Sequence, residues 1–268
     1  MTPPAFRLSV TVIARDEEHH IADCLDSVRW ADQIVVVDTG STDRTVEICQ
    51  KYTPYVYSHP WEGYASAKNA ALELARGDVV LSLDADERVS PALRQEVVAL
   101  LQQPLATLAD GYAIPRRNYL WGRWLRHGGL YPDYQIRLFK RGRGNFTAHR
   151  VHESVAVRGD VACLRQPLEH YSYRGVSDVI ARLNRYSDLA AQDLRERGGV
   201  PRMVRLVLRP LGRFLRNFLL KQGFRDGIPG LIMAVSYAYG VFAREAKLWE
   251  LAQGRQEGQQ PGPGRSTA

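Results

Sequence analysis

Asp84 and Asp86 stand one residue apart at the end of Val79-Val80-Leu81-Ser82-Leu83, a run with the length and composition of a buried strand. Side chains two positions apart on a strand point to one face, so a strand ending here aims both carboxylates at one place. Such an oxygen pair suits a hard cation, Mg2+ or Mn2+, of which Mg2+ keeps few protein ligands and takes substrate phosphates besides. Alone, a D-x-D of this kind is equally a solvated acidic turn. Two further acids occupy like positions: Asp38 ends the run Ile34-Val35-Val36-Val37, and Asp16, with Glu17 beside it, follows Leu8 to Ala14. Asp38 on its own reads as a turn-former or a helix N-cap.

These acids need a scaffold, and the first ninety residues supply its pattern. Ile21, Cys24, Leu25 and Val28 give helical spacing within Asp16–Trp30. A second helix is expected over about Arg44–Lys51, a short strand over Tyr55–Ser58, and an alanine-rich helix over Ala65–Ala75 that closes at Arg76-Gly77. Strand and helix in this rhythm predict an α/β fold, a doubly wound and mostly parallel sheet. Ligands of such sheets bind at the carboxyl ends of the strands, and Asp16, Asp38 and Asp84 fall there. From Gly111 to Val157 the composition shifts to glycine, arginine and aromatic residues. The stretch Arg116–Trp124 reads as a ligand-binding loop and Gln135–Lys140 as a strand. Beyond Gly175 the pattern is helical to about Leu251, and the Gln-, Gly- and Pro-rich 252–268 reads as a disordered tail.

Taken together, the segments resemble family 2 of the nucleotide-sugar glycosyltransferases, with the GT-A fold. The match rests on Val12-Ile13-Ala14-Arg15-Asp16-Glu17-Glu18, on Ile34 through Thr45, and on Gly77-Asp78 through Asp84-Ala85-Asp86-Glu87. Tyr131-Pro132-Asp133-Tyr134-Gln135-Ile136-Arg137-Leu138-Phe139, Val151-His152-Glu153 and His170-Tyr171-Ser172-Tyr173 narrow the resemblance to the bacterial branch that builds the lipopolysaccharide inner core. It implies a nucleotide-sugar domain over 1–172, followed by a helical extension over 173–251 whose basic helix, described below, makes it the expected membrane-associating part. It also implies a UDP-sugar donor, with Asp38 on the base, Glu17 near the base or ribose, and Ala14 and Asp16 in the same donor-binding segment. Lys68 would reach the diphosphate, Asp86 the metal, and Asp84 the ribose and metal shell, with Mg2+ or Mn2+ as the cofactor. A metal that stabilises the leaving diphosphate removes the need for a protein nucleophile.

Inversion then requires a base for the acceptor hydroxyl. Relatives carry an acidic pair after the D-x-D; this chain departs from them with Val151-His152-Glu153, so Glu153 is the candidate base and His152 its orienter or substitute. Arg116 and Trp121 are expected at the acceptor, through forked phosphate donors and sugar stacking. Arg137 joins them, with Asp133 and His149 touching donor or acceptor. The alternative is that the 116–124 residues pack between the domain and its helical extension.

A formal net charge of +7 points to an anionic partner. Arg202 to Arg225 holds six arginines, one lysine and no acid, so the rest of the chain is near neutral. Arg202, Arg205, Arg209, Arg213 and Arg216 fall on one helical stripe between apolar residues, with a kink or break expected at Pro210. This pattern favours an anionic membrane surface over nucleic acid, because no aromatic platform accompanies the charge. Its bland counterpart is a helix packed by its apolar face with solvated arginines. Ile228–Ala243, 16 residues long, is short of the roughly 20 needed to span a bilayer and reads as buried or interfacial. Three scattered cysteines and an N-terminus without an apolar core predict a cytoplasmic protein, peripheral on the inner membrane. Transfer to a polyprenyl phosphate, or a non-catalytic sugar-nucleotide-binding subunit, are the rival functions.

Overall fold

The computed structural model describes residues 8–147, 154–173 and 175–257. The chain opens with β1 (Leu8–Ala14), α1 (Ile21–Asp26), β2 (Gln33–Asp38), α2 (Thr45–Gln50), β3 (Val56–Ser58), α3 (Tyr64–Leu74) and β4 (Val79–Asp84). It continues with β5 (Glu87–Val89), α4 (Pro91–Leu101), β6 (Gly111–Leu120), β7 (Arg123–Trp124), β8 (Asp133–Lys140), β9 (Gly144–Thr147), β10 (Ser154–Val157), β11 (Val161–Cys163) and β12 (Leu168–Tyr173). Three helices close it: α5 (Val176–Glu196), α6 (Met203–Leu215) and α7 (Gly227–Glu257).

The main sheet runs β3-β2-β1-β4-β8-β6-β12-β5, with β7 and β11 paired to β6. Its first half is parallel, β1 lying between β2 and β4. β8 then enters antiparallel to both β4 and β6. Period-two alternation sorts the central strands. Val10, Val12, Val36, Leu81 and Leu83 join a core with Ile21, Cys24 and Leu25 of α1 and Leu93 and Val97 of α4. Val35 and Val37 turn the other way, onto Ala71 of α3. Because both faces are covered, these strands read as unbroken apolar runs. Ser90 caps α4 by accepting from the Leu93 N–H at 3.2 Å, with Pro91 in the first helical turn.

Three expectations change. The first helix occupies only Ile21–Asp26, because Asp16 takes a positive φ of 53° and the loop behind it is tied elsewhere. The stretch Arg116–Trp124 is not a loop: it is the end of β6 and a tight hairpin into β7. Pro210 neither splits nor ends its helix, which runs to Leu215 and passes into a π-turn at Arg216–Leu220.

The chain divides into two compact units, one of 1–126 with 130–172, the other of 127–129 with 173–268. In the second unit α7 packs on α5 and α6. Arg209 and Arg244 bond Glu245 at 2.7 and 2.8 Å, and Lys247 reaches Asp188 at 2.6 Å. His127 donates its backbone N–H to Asp226 at 2.8 Å. Gly230 approaches the Gly223 carbonyl so closely that a Cβ would lie 2.0 Å from it, which requires glycine there.

Candidate active site

The loops that leave β1 and β2 are stitched together. Asp16 accepts from the Thr42 N–H at 2.7 Å, and its own N–H donates to Ser41 Oγ at 3.0 Å. The Glu17 N–H donates to Thr45 Oγ1 at 2.8 Å and the Glu18 N–H to Asp43 at 3.1 Å. Burial works against the Asp43 charge, but hydrogen bonds from Thr45 and the Glu18 N–H outweigh it and hold this carboxyl below the usual range. Asp38 is nearly buried and accepts from the Gly40 N–H, the Ser41 N–H and the Ser41 hydroxyl. The Ser41 N–H reaches both carboxylate oxygens, so Asp38 shapes the turn that follows β2. Ala14, on the neighbouring strand, gives its carbonyl to the Thr39 N–H at 3.0 Å.

At the end of β4 the two aspartates part. β4 stops at Asp84 and β5 begins at Glu87, so strand alternation does not carry on to Asp86. Asp84 pairs with Lys68 of α3 at 2.7 Å and with Arg137 of β8. Its charge is therefore shared between two cations. Arg137 also bonds Glu87 at 2.7 Å, and Glu87 accepts from Arg116 at 3.3 Å and from the Asp84 N–H at 3.0 Å. Arg116 in turn holds Asp133 at 2.6 Å. Three acids thus alternate with three bases, Glu87 among them fully buried. Burial opposes the Asp84 charge, yet Arg137 and then Lys68 hold its carboxyl well below the ordinary range. Burial likewise opposes the Arg137 charge, and Asp84 and Glu87 raise its pKa. Arg116, half-buried, and Arg137, buried, are both parts of this network.

Asp86 meets a different partner. His170 of β12 brings Nε2 to 3.5 Å from Asp86 Oδ2. Asn118 donates its amide N–H to the Leu130 carbonyl at 2.8 Å, so its own oxygen faces His170 Nδ1 at 2.7 Å. Nδ1 thus faces the Asn118 oxygen while Nε2 faces the Asp86 carboxylate. Imidazole metal ligands are oriented by this kind of second hydrogen bond. A cation held here would take the Asp86 carboxylate and the His170 Nε2, which lie 3.5 Å apart. The donor set fits a divalent cation that draws its other ligands from a substrate. Among the described residues no cluster of three His, Cys, Asp or Glu side chains could hold a metal without such help.

His152, Glu153 and His149 lie outside the described residues; the strands flanking them pair Thr147 with Ser154. Trp121 is exposed at the hairpin tip, where it and Gly122 have φ of 52° and 73°. Arg117, one position along β6 from Arg116, stacks on Trp124 with its guanidinium 4.5 Å from the ring centre. Burial, then the charges of Glu87, Asp86 and Asp84, push the Cys24 thiol well above its ordinary value, so it stays a neutral thiol behind the acidic turn. Sequence reasoning gave no role to Glu87 or His170. The signal for His170 was its place in a strand-like segment after the acids; Glu87 had none.

The family model of Glycosyl transferase family 2 matches residues 9–161. Over 92% of this chain and 93% of the other, it is 33% identical to the lipopolysaccharide core biosynthesis glycosyltransferase LpsC of Rhizobium meliloti. The chain belongs to glycosyl transferase family 2. This family 2 transferase therefore has the GT-A fold and resembles the lipopolysaccharide core branch. It is also 28% identical to an uncharacterized glycosyltransferase of Rickettsia bellii, over 92% of this chain and 87% of that one. Among solved structures, the S. aureus TarS 1-349 complex with UDP matches with TM-score 0.47 and 16% identity, over 94% of this chain and 92% of that one. That likeness is too distant to bear on chemistry.

Proposed function

We propose that this glycosyltransferase moves a hexose or heptose from a UDP-sugar to a lipopolysaccharide core acceptor, with inversion, using Mg2+ or Mn2+. The observation that supports the reading is the meeting of Asp86 with His170, a ring oriented by Asn118, beside the Lys68–Asp84–Arg137 cluster. Asp86 and His170 would hold the cation, whose positive charge stabilises the departing diphosphate. Lys68, paired with Asp84, would supply a second positive charge toward the diphosphate. Asp38, at the end of β2, would accept from the N–H of a uracil, while Asp16 and Glu17, through the loop ties, fix the wall beside it. The acceptor class is supported by the part the Rhizobium meliloti relative plays in lipopolysaccharide core biosynthesis. A lipid-linked acceptor made inside the cell favours a cytoplasmic enzyme, peripheral on the inner membrane, with the helical unit as the membrane-associating part.

Single displacement needs a base on the acceptor side, and Glu153, assisted by His152, is that base. Trp121 stacks on acceptor sugar from the hairpin tip. The test is transfer from a panel of UDP-sugars to lipopolysaccharide core with Mn2+, with product mass and anomeric configuration as readouts. Glu153→Gln is expected to lower transfer by about 10²-fold or more, while the thermal shift given by UDP stays as in the unaltered protein. Undiminished transfer by the variant rejects the base. A sugar found on polyprenyl phosphate instead, or a retained configuration, rejects the acceptor or the stereochemistry.

A further inference from the structure

The helical unit wears part of its apolar surface on the outside. No residue of α6 is buried. Leu206, Pro210 and Phe214 are half-buried, marking the side turned toward the unit. Val204, Val207, Leu208, Leu211, Leu215 and Leu219 are all exposed, from 40% for Leu215 to 65% for Val204. Their spacing of one, three or four residues makes them one continuous row on the outer face of the helix. A soluble helix normally turns this row inward, and a contiguous exposed patch marks an interaction surface.

The chemistry beside the row says what covers it. Arg202, Arg205, Arg209, Arg213 and Arg216 form the adjoining stripe, and the whole stretch 202–225 contains no acid. Arg209 is occupied by Glu245, whereas Arg202 and Arg216 are exposed. A second copy docking by the same face would set each arginine stripe against its own image, because a two-fold interface is self-complementary. Residues 258–268, GQQPGPGRSTA, contain no large apolar side chain to cover the row. An anionic lipid surface satisfies both halves of the pattern, taking the leucines and valines into the acyl boundary and the arginines among the headgroups.

We infer that the outer face of α6, continued through Leu219, is a docking surface for anionic lipid, on which the helix lies flat without crossing. This sharpens the peripheral-membrane part of the proposed function and depends on nothing in the catalytic unit. α7 is the one described helix long and apolar enough to cross a membrane, and 39% of its apolar window is buried inside the fold. Its Met233, Ala234, Ala243 and Leu248 are already covered.

Vesicle co-sedimentation of the full-length chain tests the inference. The protein is expected to bind vesicles of phosphatidylethanolamine and phosphatidylglycerol, to leave them as salt rises, and to ignore pure phosphatidylcholine. Leu208→Asp with Leu211→Asp, both at positions exposed in the fold, is expected to weaken binding at least tenfold. Arg202→Gln with Arg216→Gln should weaken it about thirtyfold, at roughly 1 kcal/mol per arginine. Circular dichroism checks that both variants fold. Their UDP-induced thermal shift, read without vesicles, reports separately on the donor site. Equal binding by the leucine variant, or salt-insensitive binding to both vesicle types, overturns the inference. So does a solution dimer that the leucine variant dissociates while vesicles go unbound.

Discussion

Glu87 accepts from Arg137, from Arg116 and from the Asp84 N–H while fully buried. The charge on Asp84 is therefore set by residues that are remote along the chain. With Arg137 and Lys68 beside it, the Asp84 carboxyl titrates well below its unfolded value near 3.9. A lowered folded pKa means stabilisation that is complete above about pH 4 and is lost as pH falls through the folded value. Urea unfolding at a series of pH values should show wild-type stability declining below about pH 4. Asp84→Asn should be less stable at neutral pH, because two cations lose their partner, and should have a flatter acid limb. An unchanged acid slope would remove Asp84 as its source. At this scale the aspartates were legible because they end strong apolar runs. Glu87 was not, since its meaning comes from Arg137 fifty positions on. Asp86 and Asp84 looked alike in sequence and differ only because β4 ends between them.

The elements buried on both faces were the readable ones. β1, β2 and β4 are uninterrupted apolar stretches, and a parallel arrangement follows from the helices between them. β6 was misread as a loop because its second half alternates between two polar environments. Arg116 and Asn118 serve the acid cluster and His170, while Arg117 lies on Trp124. Neither set is apolar, so the period of two went unseen. The same hairpin carries an argument about Trp121. A bulky residue with φ of 52° is strained, and such strain costs on the order of 1 kcal/mol or more. Trp121→Gly should therefore raise the denaturation midpoint, the change amounting to about 1 kcal/mol. It should also raise the acceptor KM, leaving UDP binding intact. Higher stability with an unchanged acceptor KM would make the tryptophan a relic of the turn, without a part in recognition.

Across the whole molecule, charge and chemistry are separated along the chain. The acids and bases of the candidate site lie between residues 16 and 170, while the unbroken basic stretch lies at 202–225, within the second compact unit. Composition alone registered the +7 charge, and its placement in one segment made the membrane a better partner than nucleic acid. What composition could not register was the orientation of α6, because an amphipathic row looks the same whether it packs inward or faces out. The cation and diphosphate site of Asp86 and His170 is tested by the thermal shift given by UDP with and without Mn2+. A ligand bound only by the native state raises the melting temperature with its occupancy. UDP alone is expected to give a modest rise and Mn2+ to enlarge it. Asp86→Asn and His170→Gln should each keep the first rise and lose the Mn2+ increment. Full retention of that increment in both variants would contradict the account.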